Sequence, residues 1–575
     1  MAQHRRHHHR QASQRADRHG AALFQKGTGP IPGSGGAPHG GGHLLTGIRR
    51  AGRVLAPLGV GALALVVYLQ TLLPGVGWGD TARFQYVARV WGIPHRFGYP
   101  LYIALSRLFG YLPVGSLAYR INLMSAVFAA LAAVMVYFLV MRLAGDQVAA
   151  VSAALSFAFS RALWGQAVFA EVYALNAFLV GAVVLTLLIW HQSRRIGLLY
   201  LGVGLYALSF GNHMTVVTLV PAVLYLILVT DYRLLLDGKQ VLILAGLMLL
   251  GALQYLYVIL RARQQPLLNE LGPFSWKGWL HWMTRSRFPG QFFGYSLGDQ
   301  VDRLRLYLDL LEKQFFRWGY IIGWIGAWER LKADLKSFGF LALAALGFFA
   351  FGMNYGGVTF RIYLIPSYLI FAVFVGCGLS AIRRWLAGLL REQRRRGLAW
   401  TLQGGLAAVM LLMPLYPLWT NWAEVDQSGN VHYGQMARRF VEQAGPDFVL
   451  VDSEPHYDDL EAILYVAWGE KGWYNARWIE PGQIDDWLGR RPVYAWDDGA
   501  AWHARYVEEP VPGLPGMVRV VGKDVGSTQV QRTCTCICPR RSTVRCESGG
   551  TGKSAVERVL PGVGFKQRPV ERRSA

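Results

Sequence analysis

The sequence predicts an all-α polytopic membrane protein of about eleven transmembrane helices, followed by a small C-terminal α/β domain. Hydrophobic residues make up 53% of the 575 residues, charged residues make up only 16%, and the mean hydropathy is +0.26. Soluble domains need more charge than this on their surfaces. The apolar residues are also grouped in long runs, which is the pattern that membrane-spanning helices produce.

Eleven apolar runs account for the predicted helices. A helix needs roughly 17–25 residues to cross a bilayer, and most of the runs approach that length while a few are shorter. The runs cover residues 54–73, 117–141, 148–160, 172–190, 197–211, 214–230, 240–260, 315–328, 338–353, 363–382 and 398–418. The shorter runs make the count approximate.

Basic residues between the runs predict the orientation, because short loops rich in Lys and Arg stay in the cytoplasm. With the N-terminus inside, every inner segment is basic. These segments contain Arg49, Arg50, Arg53, Arg142, Arg194, Arg195, Arg233, Lys239, Arg330, Lys332, Lys336 and the run from Arg383 to Arg396. An odd number of spans places the chain after residue 419 outside the cytoplasm, on the same side as Asp80. We expect a multi-pass protein of the plasma (inner) membrane.

The two terminal segments differ from the rest in composition. Residues 1–53 are rich in His and Arg and then in Gly, which predicts a disordered, basic cytoplasmic arm before the transmembrane domain of residues 54–424. Residues 523–575 predict a disordered basic tail, whose cysteines fit no standard zinc spacing. The net charge of +23 lies largely in these tails and in the inner loops, and no nucleic-acid motif accompanies it. We therefore expect no nucleic-acid partner.

Residues 425–522 predict a small extracytoplasmic α/β domain. Apolar strands are expected at Phe448–Val451 and Arg491–Trp496, with helices around 434–444 and 458–468. The intervening turn from Asp452 to Asp459 is rich in acidic residues. It could bind a metal or an acceptor, although such loops are usually only solvated.

The acid that follows the first apolar run is the leading candidate for a functional residue. Asp80 lies in Trp78-Gly-Asp-Thr81, and a carboxylate beside the hydrocarbon core is costly unless it has a role. The alternative is a helix-capping or solvated loop residue. Cations follow in the same outer segment, at Arg83, Arg89, His95, Arg96, Arg107 and Arg120.

Further polar residues lie at later outer turns. Glu171 precedes one span, Asn212 and His213 precede another, and Arg361 and Tyr363 precede a third. Residues 261–313 combine arginines and lysines with tryptophans, which is typical of a helix lying at the membrane interface. The same cations could instead face a lipid phosphate, which Arg binds well.

Six motifs occur in an order that resembles a known family. They are Asp80-Thr-Ala-Arg-Phe84, Gly92-Ile-Pro-His95 with Gly98-Tyr-Pro-Leu-Tyr102, Arg120-Ile-Asn-Leu123, Glu171-Val-Tyr-Ala-Leu-Asn176, Gly211-Asn-His213 and Tyr363-Leu-Ile-Pro-Ser-Tyr368. The family is multi-pass, long catalogued as of unknown function, and related to the protein O-mannosyltransferases of the GT-C class of membrane glycosyltransferases. The resemblance covers about residues 55 to 425, and the part through Asn176 is the most specific.

The resemblance implies a polyprenyl-phosphate-linked sugar donor, mannose being one candidate sugar, and an active site on the outer face. It assigns the essential acid to Asp80 and a second acid to Glu171, because sugar transfer with inversion needs a carboxylate that deprotonates the acceptor hydroxyl. Donor phosphate binding is expected from His95, Arg96, His213 and Arg361. Substrate positioning is expected from Tyr99, Tyr173, Asn176, Asn212 and Tyr363. The two acids could act alone or hold a divalent metal, and no cofactor is certain.

The sequence departs from this family in three places. Arg83 stands where members usually have an acid, Arg96-Phe97 replaces a proline pair, and Arg361 lies near the place of an acid before the last motif. These changes could alter the acceptor, strengthen phosphate binding or weaken the site. A transporter or lipid-carrier flippase is an alternative, but no repeated halves are evident. A non-catalytic membrane scaffold is the third. The sequence names neither the sugar nor the protein or glycan acceptor.

Overall fold

A computed structural model describes residues 41–95, 97–278, 295–356, 360–392, 396–452 and 454–524. The helices are α1 (Gly41–Gln70), α2 (Gly79–Val90), α3 (Pro100–Gly110), α4 (Leu117–Ala144), α5 (Gln147–Ala158), α6 (Arg161–Ala167), α7 (Val172–Ser193), α8 (Ile196–Ser209), α9 (Val220–Asp231), α10 (Gly238–Ala252), α11 (Leu256–Arg263), α12 (Leu297–Ala333), α13 (Leu335–Asn354), α14 (Ile365–Glu392), α15 (Arg396–Leu412), α16 (Leu415–Val425), α17 (His432–Ala444), α18 (Tyr457–Leu464) and α19 (Ile484–Trp487). The strands are β1 (Val449–Val451), β2 (Arg477–Ile479), β3 (Val493–Trp496), β4 (Tyr506–Pro510) and β5 (Met517–Lys523).

Within the described ranges, seven helical segments are long and apolar enough to cross a membrane. They are Leu117–Ala144, Val172–Ser193, Met214–Leu235, Gly238–Arg263, Leu335–Asn354, Phe360–Leu390 and Trp400–Val425. The pair α5 and α6 forms one further candidate span that bends by 63°, and Val54–Gln70 and Ile196–Ser209 are shorter apolar helices. A polytopic, helical membrane protein is therefore confirmed, whereas the number eleven remains a prediction. The predicted run 315–328 falls inside α12, which also carries many charges.

Small residues bring the central helices close together. A Cβ on Gly326 of α12 would overlap the carbonyl oxygen of Phe374 in α14, and a Cβ on Gly378 would overlap that of Ile322. The two helices therefore cross with their backbones in contact, as small residues allow in membrane proteins. On one side of this contact, α12, α13 and α14 enclose an apolar cavity of about 250 Å³.

The C-terminal region folds around a five-stranded sheet of order β2-β1-β3-β5-β4. Strand β1 is parallel to β2 and β3, while β3, β5 and β4 pair antiparallel. The central strands Val449–Val451 and Val493–Trp496 are buried throughout, which explains their continuous apolar sequence. Both predicted strands and both predicted helices are present. The second helix, α18, continues through a π-helical turn at Tyr465–Lys471.

The sheet region and the outer loops share one hydrophobic cluster. Phe84 and Tyr86 of α2 are buried together with Leu460 and Trp468 of the C-terminal region. The rings of Tyr86 and Trp468 meet edge to face at 5.4 Å. The C-terminal region is therefore packed against the segment that carries Asp80. The predicted domain boundaries remain predictions; α1 begins at Gly41, inside the predicted basic arm, and the cysteine-containing tail lies outside the described residues.

Candidate active site

Asp80 lies in the first turn of α2, where the helix dipole favours a negative charge. The hydroxyl of Tyr457 donates a hydrogen bond to Asp80 Oδ1 at 2.7 Å, and Nε2 of His95 lies 3.3 Å from the same oxygen. No described residue hydrogen-bonds to Oδ2. The side chain is 44% exposed. The carboxylate is thus held through one oxygen while the other remains available to a substrate.

The surroundings of Asp80 favour its ionised form. Burial by itself would raise the pKa of this carboxyl, but His95, Arg83 and the hydrogen bond from Tyr457 together hold the pKa well below its usual range. Asp80 is therefore a carboxylate at neutral pH.

Glu171 is the second predicted acid, and its surroundings have the opposite effect. It precedes α7 as the N-cap residue, and its side chain accepts a hydrogen bond from the backbone N–H of Val172 at 3.4 Å. Burial and the nearby charge of Asp80 raise the pKa of Glu171 well above its ordinary value. The site therefore places side by side two acids whose pKa values are shifted in opposite directions, which is a common arrangement in acid–base catalysis.

A chain of rings connects Asp80 to the other predicted residues. His95 meets the ring of Tyr99 at 5.6 Å, and Tyr99 stacks on His213 at 5.8 Å. The ring of Tyr173 lies 5.6 Å from His213, and that of Tyr363 lies 5.7 Å from it. Residues from five separate helix ends are thus brought together on one side of the helical bundle.

The backbone before α3 is strained in a way that fixes Tyr99. Gly98 has φ of +72°, and Tyr99 has φ of +45°, which a non-glycine residue adopts only at a cost. A Cβ on Gly98 would overlap the side chain of Val258. The next helix begins with Leu101 donating its backbone N–H to the carbonyl of Gly211 at 2.9 Å, which ties this segment to the loop that carries His213.

His213 is a neutral hydrogen-bond donor in this environment. Burial and the nearby His95 lower the pKa of His213 to about 3. Its Nδ1 accepts a hydrogen bond from the backbone N–H of Thr215 at 3.3 Å, so we infer that the proton resides on Nε2. His213 was predicted to bind phosphate, and here it would do so as a donor rather than as a cation.

The other predicted residues lie in different environments, some buried and some exposed. Asn212 donates to the carbonyl of Val172 at 3.1 Å, and Oδ1 of both buried amides, Asn176 and Asn212, lacks a hydrogen-bond partner within the described chain. Such unsatisfied groups are expected where a ligand supplies the missing partner. Arg361 is exposed and lies over the ring of Phe360 at 5.7 Å. Arg96 lies outside the described residues.

Arg83 has a structural environment that the sequence did not reveal. Its Nε and Nη2 donate to Glu461 Oε1 at 3.0 and 2.6 Å, and Nη1 donates to Glu270 at 2.5 Å and to the carbonyl of Pro94 at 3.1 Å. Tyr86 donates to the second oxygen of Glu461 at 2.7 Å. The arginine at the position where the family resemblance predicts an acid therefore makes four hydrogen bonds to protein groups.

Two arginines of the basic segment 261–313 also bind the backbone. Arg261 donates from Nε to the carbonyl of Trp91 at 2.7 Å, and Arg303 donates from Nη2 to the carbonyl of Tyr355 at 2.9 Å. The centre of this segment, including Trp279, Trp282, Arg285 and Arg287, lies outside the described residues. The hypotheses of an interfacial helix and of phosphate binding therefore remain predictions.

The acid-rich turn of the C-terminal region borders the site. It contributes Tyr457, and a Cβ on Gly79, whose φ is +43°, would overlap Asp458 Oδ1. His456 stacks on Trp496 at 5.1 Å. Within the part of the chain that the structure describes, no group of three or more His, Cys, Asp or Glu side chains is placed to hold a metal ion.

Comparisons with known proteins identify relatives of this chain. The model of the Protein O-mannosyl-transferase TMEM260 N-terminal domain matches residues 80–236, a segment that begins at Asp80 and includes Glu171 and His213. The mouse protein O-mannosyl-transferase TMEM260 is 27% identical in an alignment 457 residues long, which covers 73% of this chain and 61% of the mouse protein. Its counterpart in Dictyostelium discoideum is 24% identical in an alignment 371 residues long, which covers 57% of this chain and 44% of that protein. The chain thus spans less than two thirds of the length of these relatives.

The fold is similar to that of ArnT from Cupriavidus metallidurans, solved bound to undecaprenyl phosphate. The TM-score is 0.56 at 12% identity, and the similarity covers 80% of this chain and 97% of ArnT. At this identity the likeness concerns the fold. The predicted resemblance to GT-C proteins of the O-mannosyltransferase type is confirmed.

Proposed function

We propose, on the premise that this chain is an O-mannosyltransferase-like GT-C protein, that it is a membrane glycosyltransferase. It transfers a sugar from a polyprenyl phosphate to a hydroxyl of a protein or glycan acceptor outside the cytoplasm. The observation that carries the proposal is the half-exposed carboxylate of Asp80, held on one oxygen by Tyr457 and His95. The names of the relatives favour mannose, and the lipid bound to ArnT favours a polyprenyl phosphate.

Asp80 Oδ2 takes the role of base in this reaction. It accepts the proton of the acceptor hydroxyl while that oxygen attacks the anomeric carbon, and the bond between this carbon and the phosphate oxygen breaks. The anomeric configuration is inverted, and the polyprenyl phosphate leaves with the bonding electrons. Because the low pKa of Asp80 makes it a weak base, it orients the hydroxyl first and takes the proton late, when the attacking oxygen has become acidic.

The cluster of rings formed by Tyr99, Tyr173, His213 and Tyr363 is suited to binding the phosphate of the sugar donor. The leaving phosphate gains negative charge, which hydrogen-bond donors in a fixed, poorly solvated site stabilise. Nε2–H of His213 and the hydroxyls of Tyr99 and Tyr363 are such donors. Because its pKa is raised, Glu171 has less tendency than an ordinary glutamate to carry a charge that would repel the phosphate. His95, Arg96 and Arg361 remain the candidate cations, and Asp80 with Glu171 remain the candidate ligands if a divalent metal takes part.

The test is transfer by the purified full-length protein in lipid nanodiscs. Radiolabelled polyprenyl phosphate mannose is supplied with a mixture of extracytoplasmic proteins and glycans, and the label is followed into each fraction. We expect transfer by the wild type and none by Asp80→Asn, which keeps the shape of the side chain and removes the base. Glu424→Gln is the matched control, because Glu424 pairs with Arg161 on the surface with 51% of its side chain exposed. Equal turnover by Asp80→Asn and the wild type would contradict the proposal.

A further inference from the structure

Helix α18 of the C-terminal region contacts α2 through two pairs of polar side chains, one turn apart on each helix. Tyr457 and Glu461 lie one turn apart on α18, while Asp80 and Arg83 lie one turn apart on α2. The hydroxyl of Tyr457 donates to Asp80, and Glu461 accepts two hydrogen bonds from Arg83. Residues at this spacing share one helix face, so a single register of the two helices makes both contacts.

We propose that Tyr457 is a positioning residue of the active site, so that the C-terminal region completes the site rather than merely adjoining it. Its hydroxyl holds Oδ1 of Asp80 and thereby turns Oδ2 toward the acceptor. This inference rests on the proposed function, which assigns the base to Asp80, and it gives the C-terminal region a part in that same reaction.

The ion pair beneath Tyr457 fixes the register of this contact. The side chains of Arg83 and Glu461 are 7% and 1% exposed, so both charges have lost their water. Burial acts to raise the pKa of Glu461, while the Arg83 guanidinium beside it acts to lower that pKa. A pair of this kind adds little net stability compared with apolar side chains in the same place. Any other alignment of α18 against α2, however, would leave these buried charges unpaired at a high cost in free energy.

Arg83 also restrains Tyr457 directly. Its guanidinium carbon lies 5.1 Å from the centre of the Tyr457 ring, within the range of a cation–π contact. The tyrosine therefore has its ring held by Arg83 and its hydroxyl directed to Asp80. This geometry leaves the side chain few alternative orientations.

Several charged or titratable groups face Asp80. They come from α2 (Arg83), the following loop (His95), the residue before α3 (Tyr99), the start of α7 (Glu171) and α18 (Tyr457, Asp458 and Glu461). Of these, Tyr457 and His95 touch Asp80 Oδ1. Loss of the Tyr457 hydroxyl removes a hydrogen bond to the charged form, so it raises the pKa of Asp80 and loosens its carboxylate.

The experiment compares Tyr457→Phe with Tyr465→Phe in the full-length protein. The hydroxyl of Tyr465 accepts from the backbone N–H of Ala118 at 2.8 Å, so the second variant loses a hydroxyl from the same helical segment that does not touch Asp80. The first readout is the pH dependence of carbodiimide labelling at Asp80, measured by peptide mass spectrometry, because this reagent reacts with protonated carboxyls. The second is the pH profile of sugar transfer.

We expect Tyr457→Phe to move the labelling of Asp80 to higher pH by about one unit and to lower kcat about tenfold. The free energy of a hydrogen bond to a charged group corresponds to roughly one pKa unit or a tenfold change in rate. Tyr465→Phe should leave the labelling curve unchanged. An unshifted curve for Tyr457→Phe, or an equal shift for Tyr465→Phe, overturns this inference and leaves the proposed function standing. A shifted curve in a protein whose wild type transfers no sugar supports the contact and overturns the proposed function.

Discussion

Arg83 and Glu461 are 378 positions apart in the chain, yet their side chains form a buried ion pair with an N–O distance of 2.6 Å. The pair joins the first outer helix to the C-terminal region at the edge of the candidate site. It also explains how an arginine is accommodated where the family resemblance predicts an acid: protein carboxylates neutralise its positive charge, and its side chain is only 7% exposed.

Removal of one partner of this pair should destabilise the protein strongly. Glu461→Gln leaves the Arg83 guanidinium buried with Glu270 as its remaining counter-charge, and losing one partner of a buried pair costs about 3 kcal/mol or more. We expect a lower midpoint of thermal unfolding in nanodiscs, together with loss of transfer. Glu470→Gln breaks the more exposed pair with Arg438 and should cost less than about 1 kcal/mol. Similar losses for the two variants would argue against a special role for the buried pair.

The raised pKa of Glu171 predicts an upper pH limit to activity. Its pKa is raised, so the neutral form persists above the pH at which an ordinary glutamate ionises and is lost as the pH rises through the raised value. Ionisation places a second negative charge beside Asp80 and repels the donor phosphate. We expect kcat/KM to fall at high pH in the wild type and the fall to be absent in Glu171→Gln. If the fall of kcat/KM at high pH is unchanged in Glu171→Gln, the ionisation of another group must cause it.

The predicted orientation can be tested by labelling cysteines from one side of the membrane. Tyr111 is 69% exposed in the segment between α3 and α4, and Ser193 is exposed at the opposite end of α7. In a background lacking other cysteines, an impermeant maleimide applied to intact cells should label Tyr111→Cys and not Ser193→Cys. Permeabilised cells, in which both must react, are the control. The reverse pattern would place Asp80 in the cytoplasm and exclude an outer active site.

Local sequence patterns were sufficient to predict a polytopic helical membrane protein, and the resemblance to a known family supplied the candidate site residues. Apolar runs specify membrane helices because the bilayer selects for length and hydrophobicity, both of which are readable in a single segment. Asp80, His95, Tyr99, Glu171, Tyr173, His213 and Tyr363 lie near helix ends that the predicted topology places on one side. The alternation of spans therefore predicts that they converge, and the rings of His95, Tyr99, Tyr173, His213 and Tyr363 do lie in contact in the structure.

The contribution of the C-terminal region could not be predicted in this way. Tyr457 lies in an acid-rich turn whose composition equally suits a solvated loop, and its contact with Asp80 spans 377 residues. Only the docking of α18 on α2 brings the two together. Similarly, the sequence shows that Arg261 and Arg303 are cationic but not that backbone carbonyls of irregular segments occupy their donors. Such carbonyls need partners wherever the chain leaves regular structure.

The contact between α18 and α2 also sets an order of events during biosynthesis. Because the chain is made from its N-terminus, the segment with Asp80 and Arg83 is synthesised long before the ribosome reaches residue 461. During that interval the guanidinium lacks its main counter-charge, and the Asp80 carboxylate lacks the hydroxyl that orients it. A nascent chain would therefore carry the Asp80 carboxylate in an unsupported form, and the proposed site would be complete only after residues 457–461 have been made.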